Sequence, residues 1–246
     1  MKIIPLSEGA FTIDKSKQMI PFNMSEDELN DRNKGSLLVG INSFLVITSN
    51  DIILLDAGVG TQQNGQYTLL NILQDNKISA GDVTKVLMSH LHTDHVGAMS
   101  FTDTNGQQQL TFPNAKYYIQ EQELAYALSG ESQSYQPESL QLLKDNPAVI
   151  LINGDGNIDD YIYYNLTAAH SKYHQVFWID EDNEMIFFGA DDAPQLAQMK
   201  SRFVAKYDYD GKKCMELRQQ WWETGKANKW TFLFYHDIKN PVFMAD

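Results

Sequence analysis

Seven consecutive residues, Ser89-His90-Leu91-His92-Thr93-Asp94-His95, gather three imidazoles and a carboxylate directly after the apolar run Val86-Leu87-Met88. Imidazole nitrogen and carboxylate oxygen are the donors that zinc and other borderline divalent ions accept. In an extended segment side chains alternate faces, so His90 and His92 point the same way, and a turn at Thr93 brings Asp94 and His95 round beside them. Four donors are more than one tetrahedral site takes while keeping a position open for substrate, so the spacing suggests two adjacent metals. A histidine-rich tract can also be a scavenger without chemistry. Against that reading, the chain has 6 histidines and all fall in three clusters, His90, His92 and His95, then His170 and His174, then His236, each after an apolar, strand-like stretch.

Carboxylates stand at two further strand ends. Asp56 follows the run 52–55 and precedes Ala57-Gly58; an aspartate there is often a turn former, and the functional alternative is that it orients a metal-binding histidine from behind. Asp191 and Asp192 follow Phe187-Phe188-Gly189-Ala190. Of this pair, Asp192 is expected to cap the helical stretch 195–206 and Asp191 to bind metal. His170 and His174 have a spacing that also fits one helical face, but their β-rich flanks favour a junction between strands.

The elements that must position these residues alternate. Residues 3–6 and 10–13 read as a hairpin around Ser7-Glu8-Gly9, and 37–41, 44–48, 52–55, 85–89, 116–119, 148–152, 161–166, 175–179, 185–188 and 231–235 read as strands. Helices are expected over 66–75, 120–128, 138–144, 195–206 and 216–223, the last carrying Trp221 and Trp222 as packing residues. This alternation, repeated before and after about residue 115, predicts two sheets with helices on their outer faces. In such α/β folds, sites collect at the carboxyl ends of strands.

A chain of 246 residues with 43% hydrophobic and 21% charged residues fits one domain over 1–246 with room for a large core. Its net charge of −13 repels phosphate backbones and anionic membranes, so a small-molecule substrate is expected rather than nucleic acid or a membrane. Cys214 is the only cysteine, which excludes an intramolecular disulfide and a thiolate metal cluster. With no signal-peptide pattern at the N-terminus and no run long enough to span a bilayer, a cytoplasmic location is expected.

Together these marks resemble the metallo-β-lactamase-fold superfamily of metal-dependent hydrolases: His90-x-His92-x-Asp94-His95, a later histidine in Thr167-x-x-His170-x-x-x-His174, an aspartate after Phe-Phe-Gly-Ala, and the terminal strand histidine His236. They extend from Asp56 to His236. The resemblance implies an α/β fold, a four-layer αβ/βα sandwich with the metals at one edge. It makes His90, His92 and His170 the ligands of one metal, Asp94, His95 and His236 the ligands of the other, and Asp191 the bridge. His174 would pack nearby without ligating, and Asp56 would match the strand-end aspartate behind the ligands. One departure is that Ala168-Ala169 and Lys172-Tyr173 stand where the family usually has Pro-Gly.

The implied cofactor is a pair of divalent ions, zinc first, with manganese and iron also suited to nitrogen and oxygen donors. Two such ions about 3.5 to 4 Å apart hold a bridging water as hydroxide near neutral pH. That hydroxide would attack the carbonyl of a small ester or lactone, with Asp94 orienting it and accepting its proton. His236 and Asp191 favour the hydrolases over the diiron redox members, which replace His92 by a carboxylate. The Asp-Ala-Gly strand end and the closing Phe234-Tyr235-His236-Asp237 look most similar to the lactonase-like branch that opens N-acyl homoserine lactones, within the EC 3.1 class. Some of those lactonases place a tyrosine shortly after the bridging aspartate, where this chain has Ala193, Pro194 and Gln195. A thioesterase of the glyoxalase II kind is the nearest alternative. A non-catalytic metal-binding protein of the same fold is the alternative outside the enzymes.

Overall fold

Period-two alternation in the short strands decides which layer each apolar residue enters. In β4 (Ile52–Leu55), Ile53 and Leu55 face the other sheet while Leu54 faces the outer helices, and in β5 (Lys85–Leu87) Leu87 and Val86 divide the same way. Strands apolar on both faces must be covered on both. The computed structural model, which describes residues 1–245, meets that demand with two large sheets and helices on their outer sides, beside two small two-stranded ribbons.

The first sheet also contains β1 (Lys2–Ile13), β2 (Met19–Phe22), β3 (Leu37–Ile47), β6 (Lys116–Gln120) and β7 (Val149–Ile152), in the order β7-β6-β5-β4-β3-β1-β2. Strands β4 to β7 run parallel to one another, and β1 to β4 pair antiparallel. The second sheet runs in chain order through β8 (Gly156–Ile158), β9 (Ile162–Leu166), β10 (Gln175–Glu181), β11 (Glu184–Phe188), β12 (Thr231–Leu233) and β13 (Val242–Met244). Between the sheets lie Phe44, Ile53, Leu55, Leu87, Phe177, Ile186 and Phe188. Helices α1 (Thr68–Asp75) and α3 (Glu121–Ser129) cover the first sheet through Leu69, Leu73 and Leu124. The shorter α2 (Thr93–Val96), α4 (Pro137–Leu140) and α5 (Leu196–Met199) lie among the loops, and α6 (Gly211–Asn228) covers the second sheet through Trp221. The result is the expected four-layer αβ/βα sandwich. No helix among the described residues is long and apolar enough to cross a membrane.

Three local expectations are corrected. Ser7-Glu8-Gly9 is not a hairpin turn: β1 is continuous, and its pairing with β3 steps from Ser7↔Asn42 to Gly9↔Ile41, leaving Glu8 as the extra residue of a bulge with Gly9 at φ +107°. The bulge turns the Glu8 carboxylate onto the loop after β4, where it accepts from Gly60 N at 3.2 Å and Thr61 N at 2.6 Å. Residues 37–48 do not form two strands, because pairing with β1 continues through the polar Asn42 and Ser43. The helix expected over 195–206 is only Leu196–Met199; beyond it the Phe203 carbonyl accepts from Arg218 rather than from a following turn of helix.

The loop after β4 lies against α2 at a glycine. A Cβ on Gly97 would stand 2.1 Å from the Val59 carbonyl carbon, and Gly97 N donates to Gly58 O at 2.7 Å. Gly97→Ala therefore forces two backbones apart, a cost of about 1–3 kcal/mol. At roughly 2–4 °C per kcal/mol for a chain of this size, a melting point several degrees lower is expected in thermal denaturation. A melt matching the parent would show that the loop yields freely.

Candidate metal centre

The chemistry-bearing residues leave the sheets at one edge. Asp56 follows β4, His90 to His95 follow β5 and open α2, His170 follows β9, Asp191 follows β11, and His236 follows β12. The structure brings them into two donor groups, His90, His92, His170 and Asp191 in one and Asp94, His95 and His236 in the other, the donor atoms of each lying within 4.8 Å of one another.

In the first group His90 Nε2 lies 2.8 Å from His92 Nδ1, which is 3.3 Å from His170 Nε2. Three ring nitrogens converge, and their lone pairs repel unless a proton or a cation sits among them. Asp191 reaches both groups: Oδ2 is 3.2 Å from His170 Nε2, and Oδ1 is 3.3 Å from His95 Nε2 and 3.0 Å from His236 Nε2. Asp94 Oδ2 stands 3.7 Å from His236 Nε2 and 3.8 Å from His95 Nε2. His95 Nε2 and Asp191 Oδ1 are buried and make no hydrogen bond. Buried polar atoms without a partner cost free energy, and this nitrogen-rich donor set fits a divalent ion, as the fold implies.

Partners behind the rings decide which nitrogen faces the centre. A carboxylate only accepts, so His95 Nδ1–H donates to Asp56 Oδ2 at 2.7 Å and Nε2 is left facing inward. Ser89 Oγ donates to Asp56 Oδ2 at 2.6 Å and is then free to accept from His90 Nδ1 at 3.0 Å, so the one aspartate orients a ring in each group. His236 Nδ1 donates to Gly40 O at 2.8 Å, and His170 Nδ1 lies 2.9 Å from Asp208 Oδ1.

Electrostatics follow the same division. Burial pushes the pKa values of His90 and His92 well below the ordinary histidine range, and the neighbouring imidazoles push the same way. Burial also opposes charge on His95, yet Asp191, Asp94 and Asp56 outweigh it and hold its pKa well above the usual value. His170 and His236 are raised in the same way, against burial, chiefly by Asp191. The Asp191 carboxyl is held well below its ordinary range, because His236, His95 and His170 overcome the cost of burying it. The three imidazoles in contact with Asp191 are thus the ones whose pKa values rise, and a cation bound at them competes with protons.

Asp192 does not cap a helix. No side chain caps α5, and the Asp192 carboxylate instead accepts from His170 N at 2.7 Å and lies 3.1 Å from His174 Nδ1. His174 is buried and outside both donor groups, its ring 4.9 Å from that of His90. Where the family has Pro-Gly, Ala168 adopts φ +47° and its N–H donates to His174 O at 3.2 Å.

Sequence reading missed four contributors: Ser89, Asp208, Glu123, whose buried carboxylate accepts from Leu91 N at 2.8 Å, and Tyr135, whose ring packs 4.8 Å from that of His92. None carried a local signal beyond Ser89, which precedes the first histidine. Beside the metal loop a cavity of about 660 Å³ is lined by Thr93, Val59, Tyr67, Gln18, Gln108 and Gln136 among others. Thr93, which lines this cavity, stands in the chain between His92 and Asp94.

Residues 37–184 match the family model described as the metallo-beta-lactamase superfamily. Among solved structures, the chain is similar to a probable metal-dependent hydrolase from Staphylococcus aureus, at 18% identity and TM-score 0.77, with 99% of this chain and 91% of that one covered. It is also similar to AidC, a dizinc quorum-quenching lactonase in complex with a homoserine product, at 20% identity and TM-score 0.73, covering 98% of this chain and 89% of that one. An N-acyl homoserine lactone hydrolase with N-hexanoyl-L-homoserine at its catalytic metal centre matches at 21% identity and TM-score 0.65, covering 96% and 92%. No curated protein matches the chain by sequence.

Proposed function

The chain belongs to the metallo-β-lactamase superfamily, and from that membership we propose that it is a dinuclear metal-dependent hydrolase acting on the carbonyl of a small ester or lactone, with N-acyl homoserine lactones as the first candidates. The observation that carries the reading is the reach of Asp191, whose two oxygens stand within 3.3 Å of histidine nitrogens from both donor groups. His90, His92 and His170 would hold one ion and Asp94, His95 and His236 the other, with Asp191 shared. Zinc suits this donor set best. Such ions supply a nucleophile at neutral pH and polarise a carbonyl.

The chain's own groups do the rest. Asp56, directly and through Ser89, fixes the His95 and His90 rings, so little reorganisation is needed when substrate arrives. Asp94 is the more exposed of the two aspartates, 16% against 11%, and takes the proton released by the attacking water. The cavity beyond Thr93 gives the substrate's tail a place to lie. The structural likeness to lactonases supports a cyclic ester as substrate.

A panel of lactone, thioester and phosphodiester substrates, assayed before and after chelation, tests the proposal. Lactone turnover that chelation abolishes and zinc restores is the expected result. Absence of metal-dependent turnover on every substrate, with metal content intact and Asp94→Asn behaving like the parent, would favour a non-catalytic metal-binding protein.

A further inference from the structure

Each donor group contains one histidine whose outer nitrogen meets a carboxylate. In one group it is His95, backed by Asp56, and in the other it is His170, backed by Asp208. His90 and His236 have only neutral partners, the Ser89 hydroxyl and the Gly40 carbonyl. We propose that Asp208 is a positioning residue of the centre: its carboxylate holds the His170 ring with Nδ1–H outward and Nε2 inward, and so sets the affinity of the site shared with His90 and His92. The inference rests on the metal-centre reading above.

Burial makes Asp208 an unusual investment for a loop. Its side chain is 1% exposed, its Oδ2 has no hydrogen-bond partner, and among the described residues no lysine or arginine lies within ion-pair distance of it. A buried carboxylate with so few partners is costly unless a nearby positive charge offsets it. The His170 ring, 2.9 Å away, transmits that charge when Nε2 faces a cation, because a carboxylate behind the ring makes the far nitrogen a better donor.

Several bonds hold Asp208 at that place. Tyr209 N donates to His170 O at 2.9 Å and Asp210 N to Ala169 O at 2.8 Å, so the two loops are joined on either side of the carboxylate–imidazole contact. Asp210 in turn caps α6, accepting from Lys213 N at 3.0 Å, and Arg218 of α6 donates to Phe203 O at 2.6 Å. From its other side, His170 N donates to Asp192. The ring is thereby fixed relative to the longest helix in the described chain, although its own loop lacks the family's Pro-Gly.

Zinc competition titrations against a chromophoric chelator, on the full chain, test this directly. The parent is expected to take up two ions. In Asp208→Ala one of the two should weaken by about 10- to 100-fold while the other keeps its affinity. Asp208→Asn, whose amide oxygen still accepts from Nδ1–H, should recover most of that loss. Parent affinity for both ions in Asp208→Ala, equal weakening of both, or an asparagine variant as weak as the alanine one would overturn the assignment. If the alanine variant fails to fold, the asparagine variant decides: a smaller loss confined to one ion supports the role, and unchanged or equally weakened binding refutes it. A parent that binds fewer than two ions would instead refute the dinuclear reading on which the inference rests.

Discussion

Asp191→Ala is expected to lower kcat/KM by about 1000-fold or more, since a metal centre contributes several kcal/mol and each 1.36 kcal/mol is a decade in rate. The reason is geometric. No other side chain in the donor groups places one oxygen 3.2 Å from His170 Nε2 and the other 3.0 Å from His236 Nε2. Its charge is also the main influence that raises His95, His170 and His236 against the cost of burial, so the variant loses both a ligand and the compensation for three imidazoles. Steady-state kinetics and elemental analysis of the purified variant are the measurements. Turnover and metal content equal to the parent's would remove Asp191 from the shared position.

Arg218→Ala carries the largest expected loss of stability. Its side chain is among the largest that are fully buried, lying between α6 and the turn that holds Asp191 and Asp192. Nη1 donates to Asp192 O at 2.9 Å and Nη2 to Phe203 O at 2.6 Å. Truncation leaves two carbonyls without a donor and a space the size of a guanidinium. Each acceptor left without its donor costs about 1–3 kcal/mol, and the two together correspond to a melting point lower by roughly 10 °C. Arg218→Lys should recover little, because one ammonium cannot reproduce the planar fork that spans both carbonyls. A melt within about 2 °C of the parent's, less than the shift expected for 1 kcal/mol, would show that the fork is dispensable.

The candidate ligands were legible because metal-site chemistry is written in residue type and in position at strand ends. Three histidines and an aspartate within six residues identify themselves, and His170, Asp191 and His236 each follow an apolar strand whose end must reach the sheet edge. The choice between Asp191 and Asp192 illustrates the limit. The oxygens of Asp191 lie among the candidate donors, whereas Asp192 supports His170 and His174 rather than the helix end that its position in the sequence predicts. Glu8 is a similar case. A turn-like Ser-Glu-Gly reads as a hairpin locally, and only the unbroken pairing of β1 with β3 turns it into a bulge whose carboxylate secures the loop after Asp56.

By itself the sequence determined the layered α/β class, and it offered the strand ends and the candidate donor residues, since each depends on periodicity or adjacency within one element. Only the tertiary structure decided which carboxylate stands behind which ring. Asp208 meets His170 across 38 positions of chain, and Asp56 meets His95 across 39. Asp56 is nevertheless announced by a strand end, whereas Asp208 lies between the helices expected over 195–206 and 216–223, where no periodicity marks it, and is placed only by the bonds of Tyr209 to His170 and of Asp210 to Ala169. Those bonds join residues far apart in sequence, so their energy is absent from any local window and appears only when the chain has closed on itself.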